Sequence, residues 1–150
     1  QFWSMRMQGQ SHIMRLIEPS AFLDDWYGWL TNQAGHILLG VFMAFFACLI
    51  AYFALGELPF RLDVFAACLF GYVAFELFTQ GWQGYDTCED TVFVVAYGCG
   101  APLAAFHEVS AGSPDVALDL RALMPFFVAS GIHLACGVVF RYNRANDNKG

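Results

Sequence analysis

One carboxyl group stands where a carboxyl group is costly. Glu76 lies inside Phe75-Glu76-Leu77-Phe78, and residues 64–85 carry no other formal charge. An ionised side chain at the centre of a membrane helix costs roughly 2.5–3.5 kcal/mol, and each Leu, Ile, Phe or Val returns roughly 0.3–0.6 kcal/mol. Eight Val, Leu and Phe residues occupy 64–78, so the return is roughly 2.4–4.8 kcal/mol. The two terms nearly cancel. Such a helix needs its acid protonated, paired or turned towards other helices.

The partners on offer are polar residues at a similar depth. Glu76 precedes Trp82 by six residues and His133 precedes Phe140 by seven, about 9 Å and about 10 Å along a helix. Gln80 follows Glu76 by one turn. His36, Asp90 and Tyr97 open two further apolar stretches. His36, Glu76, Gln80, Asp90, Tyr97 and His133 therefore form one expected polar cluster, in one half of a helical bundle. Three chemistries fit it. One is a hydrogen-bonded network that fixes helix packing, since polar groups in lipid must find partners. Another is a proton or ion relay, or a divalent metal held by His36, Glu76 and His133. The last is a haem b between His36 and His133, although their depths differ by roughly 5 Å. No cofactor motif accompanies these residues, and none is assigned a catalytic role; the expectation leans to a protein that is not an enzyme.

The elements that must carry the cluster follow from composition. Of 150 residues, 58% are apolar, 16 are Phe, and only 7 Lys+Arg and 13 Asp+Glu are present. Mean hydropathy is +0.49. A soluble domain runs about 45–50% apolar and about 25% charged, so this chain belongs in a bilayer. Residues 26–56, 91–107 and 122–140 carry no formal charge. Four spans are expected, near 34–55, 63–81, 91–107 and 122–140, each close to the ~17–25 residues a crossing needs. The expected fold is all-α: an integral membrane four-helix bundle over 33–141, an N-terminal segment 1–32 with an interfacial amphipathic helix, and a C-terminal tail 142–150.

Within the N-terminal segment, Ser20 can cap a helix opening at Ala21. Phe22, Trp26 and Leu30 recur every four residues beside Trp29. They read as an interfacial anchor at headgroup level, or as a helix that docks a partner. With four spans, one side holds Arg6, Arg15, Arg141, Arg144 and Lys149, and the other holds Arg61 and Arg121. The excess of basic residues places both termini in the cytoplasm, with Arg141-Tyr142-Asn143-Arg144 as a stop signal and 145–150 as a frayed end. The net charge of -6 excludes nucleic acid as a partner, because that needs a basic face. The expected partners are the lipid bilayer and other membrane subunits or further copies of the chain.

The remaining signals are structural. Five Cys without CxxC spacing argue against a disulfide framework or a structural zinc site. Ala47/Ala51, Ala67/Gly71 and Gly131/Ala135 are small-xxx-small pairs, suited to close helix contact. Gly98 and Gly100 make a narrow stretch before Pro102. Ser113-Pro114-Asp115 reads as a turn followed by a short helix. Asp86, Glu89 and Asp90 read as a solvated acidic loop, or as divalent-cation ligands if helical.

The run Gly71-Tyr72…Glu76…Gln80…Asp86…Asp90…Gly98-Cys99-Gly100 resembles the VanZ-like group of small bacterial membrane proteins, across residues 34–105. The shared features are a polar residue early in the first span, ExxxQ late in the second, an acidic loop and a D…G…G opening of the third. The chain departs from that pattern at Val94 and Val95, where the group has Asn. The resemblance implies an envelope role connected with glycopeptide resistance. The sequence is also similar to small membrane proteins encoded by tailed phages, which implies a role in lysis or genome delivery.

Overall fold

A computed structural model describes residues 22, 25–56, 60–79, 81, 85–108 and 116–148. Helix α1 covers Trp26–Leu55. Asp25 caps it, its Oδ1 accepting the Gly28 N–H at 2.9 Å, which satisfies one of the free amides of the first turn. No residue between the caps breaks it. Gly56 ends it at φ 78°, with its N–H on Tyr52 O at 2.8 Å, a left-handed stop that glycine takes without a Cβ penalty. Helix α2 covers Arg61–Thr79, with Asp63 in its first turn where a negative charge suits the helix dipole.

The next run is continuous but wound in two ways. Helix α3 covers Tyr85–Thr91, a π-helical segment covers Val92–Cys99, and helix α4 covers Gly100–Ala105. Strand β1 (Phe106–Glu108) pairs antiparallel with β2 (Val116–Leu118), His107 facing Ala117. A 3₁₀ turn at Leu120–Leu123 is capped by Asp119 and leads into helix α5, Met124–Asp147.

Three helical stretches are long and apolar enough to cross a membrane: Trp26–Leu55, Arg61–Thr79 and Leu120–Asp147, with hydropathies of 2.5, 1.6 and 1.9. Their outer faces carry exposed Phe45, Phe53, Phe70, Phe78 and Phe127. Large apolar faces of this kind mark a membrane or partner surface. The fold is thus helical and membrane-like, with one small ribbon.

Several boundaries differ from expectation. The first helix begins at Trp26, so the division between 32 and 33 falls inside unbroken helix; Ser20 and Ala21 lie outside the described residues. Phe22 occupies a turn before α1, and its ring lies over Gly28. The stretch after Glu108 is a strand at 116–118 where a helix was expected; Ser113, Pro114 and Asp115 lie outside the described residues. Helix α5 runs on to Asp147, because 142–147 contain no Gly or Pro to stop it.

The core forms where α1, α2 and the π-helical segment meet. Ala44, Val64, Cys68 and Cys99 make one buried cluster; Tyr72, Val94 and Val95 make the other. α1 and the π-helical segment touch backbone to backbone. A Cβ on Gly40 would strike Val94 O, and a Cβ on Gly98 would lie 2.5 Å from Ile37 O. The Cys99 thiol donates to Gly40 O at 3.1 Å. Close approach therefore runs through Gly40 and Gly98. The Ala67/Gly71 and Gly131/Ala135 pairs face outward instead, with open space around Gly71 and Gly131.

Candidate functional site

Two neighbouring acids on α3 gather most of the polar groups. Glu89 is 7% exposed. Its Oε2 accepts from Arg141 Nη2 and from Trp29 Nε1, each at 3.2 Å. The Arg141 guanidinium lies 4.1 Å from the centre of the Trp29 ring and donates from Nη1 to Gly137 O at 3.5 Å. Gly137 allows the stacking: a Cβ there would strike the indole. Charge, hydrogen bond and cation–π contact converge, tying α1, α3 and α5 together.

Asp90 faces the other way. Its Oδ1 accepts from Gln33 Nε2 at 3.1 Å and lies 3.1 Å from His36 Nδ1. That same nitrogen is 3.1 Å from Gln33 Oε1. Facing two oxygens, His36 Nδ1 satisfies both contacts as a donor. The side chains of His36 and Asp90 are each 18% exposed. From α2, Tyr72 shares a side-chain hydrogen bond with Glu76. Both Tyr72 and Glu76 are buried, Glu76 at 2% exposure.

The π-helical segment supplies a third set. Phe93 packs on the His133 ring with centroids 4.6 Å apart and on Tyr97 at 5.4 Å. The Tyr97 hydroxyl lies 3.4 Å from His133 Nδ1, and His133 Nε2 lies 3.8 Å from Glu89 Oε1. The wide i→i+5 winding brings residues four apart nearly into line. It sends Phe93 and Tyr97 to α5 while Val94 and Gly98 meet α1.

The six expected cluster residues are thus divided. His36 and Asp90 meet; Tyr97 and His133 meet; Glu76 pairs with Tyr72 on its own helix; Gln80 lies outside the described residues. The two imidazoles proposed as haem ligands hold different carboxylates. Among the described residues no three His, Cys, Asp or Glu side chains are gathered as a metal centre. Of the expected interfacial anchor, Trp26 is exposed and Leu30 half-buried, but Trp29 is 2% exposed and belongs to the Glu89 set. Asp86, Glu89 and Asp90 sit on a helix, not in a loop. Burial, then Asp90 and Glu89, raise the Asp86 carboxyl above its ordinary range, while Arg141 opposes them.

Sequence reasoning left Gln33, Tyr72, Glu89 and Arg141 out of the polar cluster, and it did not join Trp29 to it. A stripe was available for the α1 residues. Trp29, Gln33, His36, Gly40 and Ala44 are spaced four, three, four and four apart, which is one helix face. On α2, Val64, Cys68, Tyr72 and Glu76 recur every fourth position, and all four are buried. Comparison with family models, with curated proteins and with solved structures gives no match.

Proposed function

We propose that this chain is a small polytopic membrane component without enzymatic activity. It packs with further copies or with other membrane subunits, and its polar cluster holds the helices in place. In this reading residues 91–107 form a fourth crossing, and both termini lie in the cytoplasm. The observation that carries it is the buried Trp29–Glu89–Arg141 set. Lipid offers helices no hydrophobic drive to associate, so a contact that joins three helices by polar groups decides how they sit. Buried ion pairs can often be replaced by apolar residues without loss. The double variant Glu89→Leu/Arg141→Met should therefore fold and keep its oligomeric state in nanodiscs, measured by light scattering and thermal unfolding. A double variant that keeps fold and assembly yet loses the cellular phenotype of the chain would defeat this reading.

A second reading has its own support. The Gln33–His36–Asp90 triangle is partly open, and its contacts engage His36 through Nδ1. That arrangement suits a polar intramembrane site of the kind the VanZ-like resemblance implies. Asp90→Asn and Glu76→Gln would separate the readings: under the first they alter stability alone, under the second they abolish the envelope phenotype at full expression.

A further inference from the structure

The winding of Val92–Cys99 is unlike that of any other described segment. π-helix is rare, appears mostly as single turns, and is frequent at functional sites. Here it runs for eight residues, and its last bond joins the Gly100 N–H to Val95 O. Each i→i+5 loop encloses one residue more than the i→i+4 loop of an α-helix. The segment is held at both ends. Upstream, Glu89 and Asp90 are bound by Arg141, Trp29, Gln33 and His36. Downstream, Gly98 lies on Gly40 and Ile37, and Cys99 donates to Gly40 O. Between these ends, Tyr97 and Phe93 lie against His133.

We propose that Val92–Cys99 is a register switch: rewinding its π turns as α turns keeps Glu89 and Asp90 on their partners and carries Tyr97 off His133. The observed state is the one in which the aromatic pair holds α5. The rewound state frees that part of α5 while the Arg141 end stays fixed. Two surfaces are therefore coupled through one helix: the hold on α5 at His133, and the crossing with α1 at Gly40. Pro102 offers no N–H to carbonyls four or five residues earlier, so the downstream end of the segment is one bond short in either winding.

Amide hydrogen exchange on the full chain in lipid nanodiscs tests this without any variant. Amides of Gly98–Gly100 should exchange at least tenfold faster than those of Cys68 and Tyr72, which are likewise buried, on α2. Equal protection would overturn the switch. Tyr97→Phe removes only the hydroxyl that reaches His133. It should speed exchange at 97–100 about threefold and leave 61–79 unchanged. No change at 97–100, or an equal rise across both stretches, would overturn the coupling to α5.

Discussion

Glu89 and Asp90 are adjacent in the chain and live under different rules. Glu89 has a permanent counter-ion in Arg141, a second donor in Trp29 and almost no exposure. Asp90 has a neutral amide and an imidazole for partners, and it keeps an edge open. One acid is committed and the other is conditional. A helix advances its side chains by about 100° per residue, so a single step separates a fixed joint from an adjustable one. The practical lesson is that the joint should break at Glu89 and yield at Asp90.

The largest effect should come from halving the fixed pair. Glu89→Ala or Arg141→Ala leaves an uncompensated buried charge, and each should cost about 3–5 kcal/mol in nanodisc unfolding. If Asp90→Ala costs as much, the contrast between the two acids is gone. Next comes the scaffold both acids share. Gly40→Ala drives a methyl into Val94 O and to 2.7 Å from Gly98 Cα, backbone atoms that cannot rotate away. Overpacking of this kind should cost about 1–3 kcal/mol, and an unchanged melting temperature would show that the two helices are not in contact there. Asp90→Asn keeps an oxygen for Gln33 and His36, so about 1 kcal/mol should be lost. A loss equal to that of Glu89→Gln would again erase the difference.

The smallest effect concerns Asp86. Its folded carboxyl holds its proton above the ordinary carboxylate range. A raised value means the contribution is fully present below the unfolded value and is lost as pH rises through the folded one. Asp86→Asn should flatten the stability profile across that acidic window and leave Arg141-dependent stability in place. An unaltered slope would show that the acids on α3 do not feel one another.

Much of the fold is legible because charge is excluded from apolar helices. The window 63–81 matches Arg61–Thr79, and 122–140 lies inside α5 apart from its first two residues. The start of α1 was hidden because Trp29 looks like any belt aromatic until its indole has a carboxylate to reach. Glu89 and Arg141 flank charge-free windows, and charges in such places usually meet water. Their pairing spans 52 residues and depends on how three helices are rotated, which no local pattern fixes. The π winding has no composition of its own; only the Gly40–Gly98 contact explains why it suits the site. His36 and Asp90 were found because both are polar residues at the edge of an apolar stretch, and that edge is where their helices meet.

The length of α1 also sets where solvent ends. Thirty residues make a rod of roughly 45 Å, while bilayer hydrocarbon is only about 30 Å thick. An upright rod whose Gly56 end sits at the far boundary enters the oil close to His36. The ten residues before it then stand as a post among the headgroups, with Trp29 on its side. The guanidinium of Arg141 is clamped to that post, at a level where water and phosphates still share the cost of charge. Tilt would sink the post, so a thicker or thinner membrane would act directly on the joint at its foot.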